Sequence, residues 1–111
     1  MAFDPTGFSI SISDRDGRAV FVIRGELDLA TAPELDTAIQ ARLADGQDVV
    51  VDLRELEFMD STGLRVLVSA HARVDGTDQR FLIVRPLPGA PIERILAVAG
   101  VEQVLDVVDD A

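Results

Sequence analysis

Apolar and polar residues alternate in Phe8-Ser9-Ile10-Ser11-Ile12, the period of a strand with one buried face. Asp14-Arg15-Asp16-Gly17-Arg18 then predicts a hairpin turn, with Gly17 free to take positive φ. Ala19-Val20-Phe21-Val22-Ile23 returns as an antiparallel strand rich in β-branched and aromatic residues, and Gly25-Glu26-Leu27-Asp28 is expected to end it. The period now becomes helical. Thr31 and Glu34 stand at capping-box spacing, and Pro33 lies in the first turn, where its missing N–H costs nothing. Leu35, Ala38, Ile39 and Leu43 form one apolar stripe, with Asp36, Gln40 and Arg42 mostly outside it, and Asp45-Gly46 stops the helix.

Residues 49–53, Val-Val-Val-Asp-Leu, are almost wholly apolar, which predicts a central strand buried on both faces. An unpaired carboxylate there is costly, so Asp52 is expected to face outward near the strand end or to accept backbone hydrogen bonds. A second helix is predicted to begin at Ser61 or Thr62, with Leu64, Leu67, Val68 and His71 at i, i+3, i+4 and i+7 and Gly76 closing the stretch. Phe58, just ahead of it, is expected in the core and Met59 at an interface. Phe81-Leu82-Ile83-Val84 is a further buried strand, broken by Pro86 and Pro88. Pro91 opens a third short helix with Ile92, Ile95, Leu96 and Ala99 inward and Gly100 at its end. Residues 104–108 suit a last edge strand, and Asp109-Asp110-Ala111 only a tail.

After the hairpin, the order strand, helix, strand, helix, strand, helix, strand with right-handed crossovers predicts an α/β fold. Its sheet is mixed, mainly parallel and of about five strands, with one antiparallel edge. Length and the lack of linkers, repeats or low-complexity segments predict a single domain over residues 1–111, with its core roughly at 8–109.

The chemistry concentrates at Asp60-Ser61-Thr62-Gly63, where short oxygen-bearing side chains meet the start of an apolar-periodic stretch. Such residues accept from the first free N–H groups of a helix. A hydroxyl at that positive end, on the turn after a buried strand, is also well placed to carry a phosphate. Ser61 therefore has two readings, cap or phosphate acceptor.

Composition acts mainly by exclusion. Twenty acidic against ten basic residues give a net charge of −10, with no basic footprint for a nucleic acid. That surface repels DNA and attracts basic protein faces. All ten basic residues are arginine, which the base composition of a GC-rich genome explains. With no cysteine and one histidine, disulfides and thiol chemistry are excluded, a zinc site is not expected, and the cytoplasm suits the chain. No apolar run approaches the roughly 18 residues of a membrane span, and Met1-Ala2-Phe3-Asp4-Pro5 lacks the regions of a signal peptide. No glycine pattern matches a P-loop or a dinucleotide fingerprint, and no cofactor is expected. His71, without an acidic or nucleophilic partner at readable spacing, reads as a half-buried structural residue.

The Asp-Ser-Thr-Gly-Leu segment after a buried strand resembles the phosphorylation-site segment of bacterial anti-sigma factor antagonists, the small STAS-domain proteins. Gly25-Glu26-Leu27-Asp28 before a capped helix and the Val-Val-Val-Asp-Leu strand match the same family, so the likeness runs from about Phe8 to Asp109. It implies a STAS-like single domain with helices chiefly on one face. The family's phosphoacceptor serine falls on Ser61, with Thr62 the neighbouring alternative. Asp28 falls where the family lines its partner surface, although a turn or cap role explains it equally well. With Asp28, the expected partner surface comprises Met59, Asp60, Ser61, Thr62, Gly63 and Arg65, the last one turn beyond the acceptor.

By this resemblance the unphosphorylated chain binds an anti-sigma factor and frees a sigma factor. The anti-sigma factor, itself a serine kinase using ATP and Mg²⁺, phosphorylates Ser61 to end the contact, and a phosphatase restores it. The chain is then substrate and binder, not an enzyme. Two rivals remain. One is a STAS subunit of a larger assembly, such as a stress-signalling scaffold or lipid-transporter component. The other is a nucleotide-binding or weakly hydrolytic enzyme using Ser61, which lacks an accompanying general base.

Overall fold

In the computed structural model, which describes residues 7–98 and 100–110, β1 (Ser9–Arg15) and β2 (Arg18–Leu27) form the expected hairpin. Asp16 and Gly17 both take positive φ, 53° and 81°, the geometry of a two-residue turn whose twist matches its strands. The expectations for Met1 to Pro5, Ala99 and Ala111 fall outside the described residues.

β2 ends within the expected Gly25-Glu26-Leu27-Asp28 segment. It runs to Leu27, and its far end pairs in parallel with a strand the periodicity did not predict, β4 (Leu56–Met59). Up to Val22 its partner is β3 (Asp48–Asp52); from Gly25 onward it is β4, with a register shift between Gly25 and Glu26. Gly25 permits this change of partner. Its φ is +89°, and a Cβ there would lie 2.5 Å from the Gly7 carbonyl oxygen.

The sheet has six strands in the order β1-β2-β3-β5-β6, with β4 off that path on β2. Here β5 is Phe81–Val84 and β6 is Asp106–Val108. All pairs are parallel except β1 with β2. Alternation along the strands separates two apolar clusters. Ala19, Phe21, Ile23, Val49, Val51, Phe81 and Ile83 face α1 (Ala32–Ala44), α2 (Ser61–Val74) and α3 (Pro91–Val98), which contribute Leu35, Ile39, Leu67, Ala70 and Ile92 among others. The opposite face carries Val50, Leu82 and Val84 with Val20 and Val108 beside them, and no helical residue joins that cluster. The helices thus lie on one face.

At the sheet's C-terminal side, Gly100 in the left-handed region opens a short helix, α4 (Val101–Val104). Val104 is therefore helical, and the last strand is shorter than expected. The final aspartates are more than a tail: Asp109 pairs with Arg85 at 2.5 Å and Asp110 with Arg54 at 3.8 Å, although pairs this exposed add little stability. Asp52 meets the second of its two expectations, a backbone hydrogen bond at the strand end, but it is buried and does not face outward. It is 6% exposed at the end of β3, and its Oδ1 accepts from the Arg54 backbone N–H at 2.9 Å. Arg54 Nη2 donates to its Oδ2 at 2.7 Å.

Candidate functional site

Leu27 and Met59 are in register across β2 and β4, and the strand pairing extends one step further as the Asp60 N–H donates to the Leu27 carbonyl at 3.1 Å. This pairing brings the turn after β2 beside the turn that opens α2. Both turns are held by short polar side chains.

In the first turn, Asp28 Oδ1 accepts from the Ala30 and Thr31 N–H groups at 3.0 and 3.3 Å. The Thr31 hydroxyl donates to the Glu26 carbonyl at 2.8 Å and accepts from the Asp28 N–H at 2.9 Å. The expected capping box with Glu34 does not form. Thr31 occupies the N-cap position of α1 without a side-chain cap bond, because its hydroxyl is already used across the turn. Asp28 thus performs the turn role that the sequence allowed. Leu29 beside it is 75% exposed.

In the second turn the cap is Asp60, neither Ser61 nor Thr62. Asp60 has extended backbone, and its Oδ1 accepts from the Thr62 N–H at 2.8 Å, the Gly63 N–H at 3.3 Å and the Thr62 hydroxyl. The Leu29 backbone N–H also favours the charged form of this carboxylate. The Thr62 hydroxyl, opposed by partial burial but joined by these N–H groups, holds the Asp60 carboxyl below its ordinary pKa. Asp60 is therefore a carboxylate at neutral pH.

Ser61 is the first residue of α2, exposed, and its hydroxyl has no hydrogen-bond partner among the described residues. Thr62 is half-buried with its hydroxyl committed to Asp60. Arg65, one turn on, is exposed and in no ion pair among the described residues. The structure thus gathers Asp28, Asp60, Ser61, Thr62 and Arg65 into one region.

Two expected surface residues lie beneath it instead. Met59 is 1% exposed and Phe58 is 42% exposed, the reverse of the expectation. Met59 packs in the main core beneath Gly63 of α2, whereas Phe58 and Glu57 lie exposed on the same strand. Gly63 is buried as well. A Cβ there would stand 2.7 Å from Leu27 Cγ and 2.7 Å from Met59 Cγ, so the missing side chain lets α2 sit directly on β2 and β4. This contact also sets the helix phase. The buried stripe is Gly63, Val66, Leu67, Ala70 and Val74, while Val68 is exposed and Leu64 and His71 are half-buried. Leu29 and Phe58 are both exposed, a placement not predicted from the sequence. The only signal for it in the sequence is that each directly follows an acidic residue, Asp28 and Glu57.

Among the described residues no group of three or more His, Asp and Glu side chains is placed to hold a metal, and no helix is long and apolar enough to cross a membrane. A cleft lined by Arg85, Pro86, Leu96, Val101 and Val107 involves no residue of the Ser61 turn.

A mainly parallel sheet with its helices on one face, and a capped, hydroxyl-bearing turn at the head of α2, define a STAS domain. The chain belongs to that family: the model described as Mlab, STAS domain matches residues 10–108. The sequences and solved structures similar to it include several anti-sigma factor antagonists. It is 36% identical over 81 residues to the anti-sigma-F factor antagonist RsfB of Mycobacterium tuberculosis (strain H37Rv), covering 72% of this chain and 66% of RsfB. It thus spans just under two thirds of that relative's length. It is 30% identical over 86 residues to the anti-sigma-B factor antagonist of Staphylococcus aureus (strain NCTC 8325 / PS 47), covering 77% and 78% of the two chains. The crystal structure of an anti-sigma factor antagonist from Mycobacterium paratuberculosis matches with a TM-score of 0.83 at 30% identity, over 96% of this chain and 90% of that one.

Proposed function

We propose that this chain is an anti-sigma factor antagonist whose partner binding is switched by phosphorylation of Ser61. The unphosphorylated form binds an anti-sigma factor through the surface formed by Asp28, Leu29, Phe58, Asp60, Ser61 and Arg65. That contact frees a sigma factor in the cytoplasm. A serine kinase, the anti-sigma factor itself, transfers phosphate from ATP to Ser61, and a phosphatase removes it. The chain needs no cofactor of its own.

One observation carries this reading: the Ser61 hydroxyl is exposed and has no hydrogen-bond partner among the described residues, while its neighbours perform the local structural work. A residue spared from capping is free to be modified without unfolding its helix. The relatives' names support the choice of partner.

The physics of the switch follows. Phosphate adds about −1.5 to −2 charges at neutral pH. The dipole at the start of α2 favours that charge, although Asp60 already takes the Thr62 and Gly63 N–H groups. A partner face fitted to a neutral serine beside an ionised Asp60 does not accommodate it, because the phosphate brings repulsion and desolvation. Arg65 compensates little, since an exposed pair is weak.

Purifying the chain from its host, identifying what comes with it and mapping phosphate by mass spectrometry tests the proposal. An anti-sigma factor bound only to the unphosphorylated form is expected. Recovery within a stable multi-subunit assembly, with Ser61 never phosphorylated, would contradict it.

A further inference from the structure

We infer that Asp60 selects Ser61 over Thr62 as the phosphate acceptor, an inference that rests on the phosphorylation proposed above. Two hydroxyls stand side by side at the head of α2, and side-chain chemistry alone does not separate them. Their surroundings do.

In the transfer, the accepting hydroxyl oxygen bonds to the γ-phosphorus of ATP held by the kinase. The bond from that phosphorus to the bridging oxygen breaks, ADP leaves, and the hydroxyl proton passes to a base on the kinase or to solvent. The acceptor must therefore present its oxygen outward and surrender its proton to the kinase. Ser61 is exposed, and its proton is committed to nothing among the described residues. Thr62 donates its hydroxyl proton to Asp60 Oδ1 and its backbone N–H to the same atom at 2.8 Å.

Hydrogen bonds to an ionised carboxylate are roughly twice as strong as neutral ones. For Thr62 to react, that bond must break, and a triphosphate must approach the Asp60 carboxylate. Half-burial adds to the obstacle. The same carboxylate accepts from the Gly63 N–H at 3.3 Å, a contact that does not depend on the Thr62 hydroxyl. Asp60 is thus a positioning residue, acting on the choice of site and not on the phosphate.

Asp60→Ala removes the acceptor of the Thr62 proton. Asp60→Asn keeps an N-cap oxygen but not the charge, so it preserves the helix start if the alanine variant does not fold. Each variant is expressed in the native host, alone and combined with Ser61→Ala, and phosphate is mapped on the peptide spanning Ser61 and Thr62. Circular dichroism accompanies each measurement. With Ser61→Ala alone, Thr62 is expected to stay unmodified. With Asp60→Ala added, Thr62 takes phosphate. In the single variants the Thr62 share rises about tenfold for alanine and less for asparagine. An unchanged Thr62 share in a folded Asp60 variant, with wild type phosphorylated on Ser61, overturns this inference alone. Wild type carrying no phosphate on Ser61 overturns the proposed switch with it.

Discussion

The backbone of Asp60 donates to the carbonyl of Leu27 at 3.1 Å, one step beyond the register in which Leu27 faces Met59. That bond joins the turn carrying Asp28 to the turn carrying Ser61, although 33 positions separate Asp28 from Ser61 in the chain. The two turns are thereby joined through the backbone and rest on Leu27, Met59 and the bare backbone of Gly63. A partner that contacts one turn finds the other beside it.

Gly63→Ala tests that support. The added methyl stands 2.7 Å from carbons near the roots of Leu27 and Met59, so either the side chains or the helix must move. Overpacking costs about 1–3 kcal/mol, while replacing glycine inside a helix returns up to about 1 kcal/mol. A net loss of about 1–2 kcal/mol in denaturant unfolding is expected, with weaker binding of the anti-sigma factor. Wild-type stability together with wild-type binding would show that the close approach is unimportant.

Ser61 and Asp60 should separate cleanly in stability. Asp60 is the cap, so Asp60→Ala should cost about 0.5–2 kcal/mol, whereas Ser61→Ala, an exposed change outside the cap, should stay within about 0.5 kcal/mol of wild type. Urea titration of both variants decides this. The alanine at position 61 should still bind partner while losing phosphorylation.

Phe58 and Met59 offer a second contrast. Met59→Ala empties a buried site and should cost about 2–5 kcal/mol. Phe58→Ala should leave the unfolding curve nearly unchanged and lower partner affinity measured by calorimetry. Reversed effects would return Met59 to the surface.

Much of the fold was legible because local chemistry and tertiary context agreed. Asp16-Gly17 makes a hairpin turn on its own terms, and Phe81 to Val84 is apolar because both of its faces are covered. β4 was not legible. Leu56–Met59 has four residues, no strict alternation, and a single sheet neighbour, the far end of β2. The phase of α2 was misread for a related reason: Val68 counts as apolar, but the docking of Gly63 turns it toward solvent. The helix start that carries the candidate site was legible, since α2 begins at Ser61 as the cap chemistry predicted. The division of labour inside it was hidden, because Asp60, Ser61 and Thr62 are all competent caps and only the path of the backbone assigns the task to Asp60.

Acid should loosen the site and the strand end together. Burial works to raise the Asp52 carboxyl, but the hydrogen bonds and charge of Arg54 outweigh it, so Asp52, like Asp60, titrates below its ordinary value in the fold. A depressed folded pKa means the ionised form is favoured by folding. Its contribution is complete above about pH 4, the unfolded carboxylate range, and is lost as pH falls through the folded value. Melting temperatures recorded from pH 6 down to pH 3 should therefore fall less steeply for Asp52→Asn than for wild type. Parallel curves would show that Asp52 gains nothing from Arg54.

The switch itself is tested most directly by calorimetric titration of the anti-sigma factor with the unphosphorylated chain and with the chain phosphorylated on Ser61. Circular dichroism and thermal melts of the two forms should match, since the phosphate sits where the start of α2 tolerates charge. Affinity should fall by about tenfold or more on phosphorylation, at least about 1.4 kcal/mol of lost binding. Equal affinities for two equally folded forms would contradict an electrostatic switch at Ser61.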